Sequence, residues 1–197
     1  MSTYFSISSP SEGYFEDKAS KFLAYAFPCY ADEELKKSLE IVKTLHPKAS
    51  HHCYAYRIGI DKNNFRANDD GEPSGSAGRP ILGQIDSFGL SNVLIIVVRY
   101  YGGTNLGVSG LINAYKKSAH NALEQANVIE KEIVQTWQVS CTYTEVNDLF
   151  NQLKKIGIDS WKEDYSDLCK IQFIIPLSIV EALSLWIESN AMSYRVL

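Results

Sequence analysis

Hydrophobic spacing changes kind several times along the chain. Residues 20–27, SKFLAYAF, are small or aromatic and run into Pro28, which predicts a strand. In EELKKSLEIVKTL, Leu35, Leu39, Val42 and Leu45 recur at helical spacing, with Asp32 as the expected N-cap and Pro47 as the stop. CYAYRIGI then alternates, setting Tyr54, Tyr56, Ile58 and Ile60 against Cys53, Ala55, Arg57 and Gly59, the pattern of a half-buried strand. Residues 61–78 are polar, glycine-rich and aperiodic, and predict a long loop of the kind that is usually functional or disordered.

Pro80 suits a first helical turn, and Ile81, Leu82 and Ile85 carry a helix toward Gly89. NVLIIVV, Asn92 to Val98, is apolar on both faces, so it reads as a central strand covered on each side. From Leu106, the stripe Val108, Leu111, Ile112, Tyr115, Ala119, Ala122, Leu123 and Ala126 predicts a long helix. Around residues 128–134 the pattern restarts. TWQVSCTYT reads as a strand, VNDLFNQLKKIG as a helix, DSWKEDYS and LCKIQFIIP as strands, LSIVEALSLWIES as a helix and SYRVL as a last short strand. That order predicts a ferredoxin-like α/β sandwich, and with it two domains, 1–127 and 128–197.

A length of 197 residues accommodates this division. Charge supports it: residues 1–127 hold 13 Lys and Arg against 13 Asp and Glu, while 128–197 hold 6 against 10, so the net −4 lies wholly in the last third. A broadly basic nucleic-acid surface is thereby excluded, because phosphate neutralisation dominates such binding. A local patch remains, since Arg79, Arg99, Lys116 and Lys117 face only Asp86 within residues 79–117. The longest aliphatic run, Val93–Val98, is far too short to span a bilayer, and the amino terminus lacks a basic segment followed by an apolar one. Cys29, Cys53, Cys141 and Cys169 form no CxxC pair, so the expectation is a cytoplasmic chain with reduced thiols and no membrane partner.

Two segments carry candidate chemistry. DDGEPSGSAGRP, Asp69 to Pro80, is a glycine-rich loop entering a helix, a place where amide N–H groups attract anions. Ser74, Gly75, Ser76, Gly78 and Arg79 are its candidate anion ligands. RYYGGTNLGVSG, from Arg99 to Gly110, repeats the theme with Arg99, Tyr100, Tyr101, Gly102 and Gly103. Successive tyrosines point to opposite faces, so at most one of the pair faces a ligand. The expectation is that the two loops are neighbours and that Arg79 and Arg99 converge over one positive hollow. His51, His52, Asp69, Asp70 and Glu72 form a second candidate, an acidic and polar site. On a strand His52 opposes His51 and Cys53, which argues against a shared metal, and neither a metal nor a cofactor is expected.

Together, HHCYAYRIG (51–59), DDGEPSGSAGRPIL (69–82) and the valine-rich strand entering RYYGG, LG and the segment up to Tyr115 (93–115) resemble the IMPACT/YigZ family. Ser76, Ser109 and Asn113 stand where the family usually carries threonine, glycine and arginine, the last removing a positive charge. The resemblance implies a two-layer α/β domain like the second domain of a small-subunit ribosomal protein. It also implies a ferredoxin-like second domain similar to those of elongation factor G. Eukaryotic relatives regulate translation initiation by competing for an activator of a starvation-responsive kinase.

Two functions stand open on the residues. One is a non-catalytic, translation-related protein that binds RNA, a phosphate-bearing ligand or a ribosome-associated protein through the two Gly/Arg loops. The other is an enzyme on a small phosphorylated metabolite or peptide, with Asp70 or Glu72 as base or metal ligand assisted by His51 or His52. Against the second, the chain lacks a Walker lysine loop, a GxSxG elbow and HExxH.

Overall fold

A computed structural model describes residues 2–61, 63–166 and 168–197; Lys62 of the expected long loop lies outside them. The chain divides into two compact units, Tyr4–Lys131 and Glu132–Leu197, the second also taking in Ser2 and Thr3. No helix among the described residues is long and apolar enough to cross a membrane.

The first unit is built on an antiparallel sheet of β2 (Ser11–Asp17), β3 (Ser20–Pro28), β6 (Val93–Tyr100), β4 (His51–Ile58) and β5 (Asn64–Asn68), in that spatial order. β6 is central because it is apolar on both faces. Val93, Ile95 and Val97 enter one core with α2 (Gly78–Ser87) and α3 (Gly107–Glu124), and Leu94, Ile96 and Val98 enter another with α1 (Asp32–Leu45). Each such buried aliphatic side chain contributes about 1.5–3 kcal/mol of transfer free energy. β1 (Thr3–Ile7) pairs with β7 (Val128–Glu132) in a separate two-stranded sheet.

Three expectations are corrected here. β4 is covered on both faces: Cys53 and Ala55 lie in the α2–α3 core, and Tyr54, Tyr56 and Ile58 face the α1 side. Asp32 does not cap α1; Ala31 occupies the cap without a side-chain bond, and the Glu34 carboxylate instead accepts from the Tyr30 amide at 2.6 Å. The stretch 61–78 is not loop throughout, because β5 pairs with β4 as an edge strand whose residues are exposed or half-buried. Its NFRAN sequence sets Phe65 and Ala67 between polar residues, but this five-residue alternation is short and sits inside a polar, glycine-rich stretch.

The second unit runs β8 (Val134–Cys141), α4 (Val146–Lys155), β9 (Trp161–Tyr165), β10 (Cys169–Pro176), α5 (Val180–Ser189), β11 (Ser193–Val196). Its four-stranded sheet has the order β11-β8-β10-β9, the ferredoxin-like arrangement the pattern predicts. Trp137 and Val139 of β8 and Ile171 and Phe173 of β10 bury against Leu149, Leu153, Leu183 and Ile187 of the two helices.

Candidate functional site

The topology brings the two glycine-rich loops together. His51, the first residue of β4, pairs with Arg99 near the end of β6, and Tyr54 pairs with Asn68 at the end of β5. β5 and β6 therefore finish at the same end of the sheet, and the loops leading to α2 and α3 both emerge there, as neighbours.

The first loop folds around its own carboxylate. Asp69 Oδ2 accepts from the Gly75 amide at 2.8 Å, and Oδ1 accepts from the Ala77 and Gly78 amides at 3.0 and 2.8 Å. Burial works to raise the Asp69 pKa, but these three bonds, with Arg79 nearby, outweigh it and hold the carboxyl below its ordinary range. The helix entrance expected to receive an external anion is thus filled from within, and the expected roles of Gly75 and Gly78 as free anion ligands are corrected. Ser76 is likewise engaged, its hydroxyl donating to the Pro73 carbonyl at 2.6 Å. Gly78 is required for space, because a Cβ there would lie 2.4 Å from the Asn68 nitrogen. Ser74 and Arg79 remain exposed.

Arg99 turns inward. Its Nη1 donates to Glu72 Oε1 at 2.7 Å, with side-chain exposures of 8% and 3%, and the Tyr115 hydroxyl donates to the same oxygen at 2.7 Å. The guanidinium carbon lies over the rings of both Phe22 and Tyr101, 5.6 and 5.5 Å from their centroids, and its Nε has no hydrogen-bond partner among the described residues. The expected convergence of Arg79 and Arg99 over a positive hollow is therefore corrected: one charge is exposed, the other neutralised by Glu72. Desolvation makes this outcome intelligible, since an arginine at a sheet's buried end needs a carboxylate within reach.

The histidines join the same end. Asp70 accepts from the His52 amide at 2.6 Å through its carboxylate, and its carbonyl oxygen lies 2.8 Å from His51 Nδ1, which must carry the proton because a carbonyl only accepts. His51 Nε2 then faces Glu72 Oε1 at 3.9 Å. His52 Nε2 bonds the His46 carbonyl at 3.1 Å, and burial lowers its pKa. Cys53 Sγ donates its one proton to the Asp69 carbonyl at 3.0 Å and lies 3.3 Å from the Tyr115 hydroxyl, and burial pushes its thiol far above the ordinary value, so it is no activated nucleophile.

Of the tyrosine pair, Tyr100 faces the α1 side and bonds His46 Nδ1 at 3.0 Å, whereas Tyr101 is half exposed over Arg99. A Cβ on Gly102 would lie 2.1 Å from the Ala19 backbone, and its amide donates to Ser20 Oγ at 3.1 Å, so Gly102 serves packing; Gly103 holds a left-handed φ of +85°. Tyr115 is the participant the sequence pattern hides, because its place in the α3 stripe marks it as core and nothing marks its hydroxyl. Ser74, Arg79, Tyr101 and Asn105 of the two loops are exposed, as are Val108 and Ile112 near the start of α3. A groove of about 480 Å³ lined by Val134, Trp161, Ile174 and Pro176 belongs to the second unit and shares no residue with these loops.

Residues 18–123 match the Impact N-terminal domain family. The chain is similar to IMPACT family member YvyE of Bacillus subtilis, 30% identical over 94% of this chain and 86% of that protein. It is also similar to IMPACT family member YigZ of Escherichia coli, 32% identical over 86% of this chain and 84% of the relative. A solved crystal structure of a hypothetical protein superposes over 100% of this chain and 97% of its own, with a TM-score of 0.78 and 28% identity.

Proposed function

Because this chain belongs to the IMPACT family, we propose that it is a non-catalytic, translation-related regulator that holds an acidic segment of a ribosome-associated protein against the exposed end of its first unit. One observation carries the reading: the inner charges of the signature loops are paired with one another, while Arg79 and Tyr101 face outward. In this arrangement Arg79 supplies a fixed positive charge, Tyr101 an amphipathic ring, and Val108 and Ile112 an adjoining apolar contact. RNA is the less favoured partner. Counterion release needs several accessible cations, and with Arg99 internal and a net charge of −4 the loops offer few.

The test is capture of ribosome-associated proteins by the immobilised full chain, compared with Arg79→Glu and Tyr101→Ala. Each variant is expected to lower recovery of the captured protein roughly tenfold while keeping wild-type melting. Ribonuclease treatment should leave capture intact; if it abolishes capture, the partner is RNA. Variants that bind like the wild type would remove this surface from consideration.

A further inference from the structure

Two of the four cysteines, 28 residues apart in sequence, meet in the fold. Cys141 ends β8, Cys169 begins β10, and the antiparallel register sets them directly opposite one another. Opposed residues in such a ladder have Cα atoms about 4.5–5.5 Å apart, within the roughly 4.4–6.8 Å that a disulfide spans. Direct opposition also puts both side chains on one face, and both lie in the core of the second unit. Cys141 Sγ stands 3.8 Å from the Cys169 carbonyl oxygen.

We propose that Cys141 and Cys169 close a reversible cross-strand disulfide, making the end of this sheet a redox-sensitive staple. The oxidant is a low-molecular-weight disulfide. The thiolate of one cysteine attacks it, forming a mixed disulfide and expelling one small thiolate. The second cysteine's thiolate then attacks the protein sulfur of that mixed disulfide and expels the other. One S–S bond forms between the strands as the acceptor's S–S bond breaks, and the two protein thiol protons end on the two released thiols.

The position sets the kinetics. Cys141 and Cys169 are 3% and 0% exposed, and burial pushes the Cys141 thiol up to about 11, so neither reacts while the sheet end is closed. Both, however, sit at the terminus of their ladder, where strands open most readily. At that terminus Tyr165 of β9 pairs with Cys169 and stacks on Tyr143 at 6.0 Å, and the Tyr143 hydroxyl donates to the Ser166 carbonyl at 3.1 Å. These contacts are exposed and easily parted, which gives a route to the thiols short of global unfolding. Closure would join the ends of the segment carrying α4 and β9 and hold them against β8 and β10. Cys29 and Cys53 belong to two different cores of the first unit and serve as internal controls.

The folded full-length chain is treated with glutathione disulfide, quenched, unfolded, alkylated and mapped by mass spectrometry. The expected result is a single linked peptide pair containing Cys141 and Cys169, alkylated Cys29 and Cys53, and full reversal by dithiothreitol. The oxidised chain should melt several degrees higher than the reduced chain, a gain absent from Cys169→Ala. Four alkylated cysteines under conditions that fully oxidise an exposed dithiol peptide would overturn the proposal. So would a mixed disulfide that never closes, or a link to Cys29 or Cys53. The map of the wild type decides the matter even where the alanine variant fails to fold.

Discussion

Asp69 does three jobs with one carboxylate: it closes the loop, caps α2 and satisfies amides that would otherwise seek a ligand. Its folded pKa lies below the unfolded value of about 4, so its stabilisation is fully present above that pH and is lost as pH falls through the folded pKa. Asp69→Asn should therefore cost about 1–2 kcal/mol at neutral pH and show a shallower loss of stability on acidification, measured by urea unfolding at about pH 7 and pH 3. Arg99 and Glu72 behave as a unit. Arg99→Met, which leaves the buried Glu72 carboxylate with Tyr115 as its one hydrogen-bond donor among the described residues, is expected to cost about 3–5 kcal/mol, and adding Glu72→Gln should recover a substantial part of it in a double-mutant cycle. Little of this pairing could be read beforehand. The residue types were visible in DDGEPSGSAGRP and RYYGG, yet a carboxylate that caps its own loop and one that neutralises a distant arginine look alike until the chain is folded.

At the scale of elements, what was legible followed periodicity. α1, α3 and α4 bury one stripe each, and β6 is apolar on both faces, so spacing alone locates them. β2 and β5 lie at the edges of the sheet, where polar side chains suffice; β2 alternates in exposure but not in residue type, and β5 alternates in residue type over only five residues that are all exposed or half-buried. Two glycines of α2 divide by their surroundings. Gly78→Ala drives a methyl into the backbone at Asn68 and should destabilise by more than about 2 kcal/mol. Gly83, midway along α2 with nothing within 4 Å of an added Cβ, should respond oppositely, its alanine variant gaining about 0.5–1 kcal/mol. Thermal unfolding of the two variants side by side tests both signs.

For the whole molecule, the core of the second unit shares no residue with the two cores that flank the sheet of the first, which implies two cooperative units. Calorimetry of the full chain should resolve two transitions, and Leu149→Ala should lower one of them while leaving the other in place. The charge shift near residue 128 lies a few residues from the division between the units at Lys131 and Glu132. Function was less readable, because a family signature records what a fold must keep as well as what it uses. That distinction matters most at Asp69. An anion supplied by the chain has no dissociation constant: dilution does not release it, dialysis does not remove it, and competing solutes meet an occupied seat. Whatever docks beside Arg79 and Tyr101 thus encounters a template moulded during folding, and it need not bring the counter-ion that holds the mould in shape.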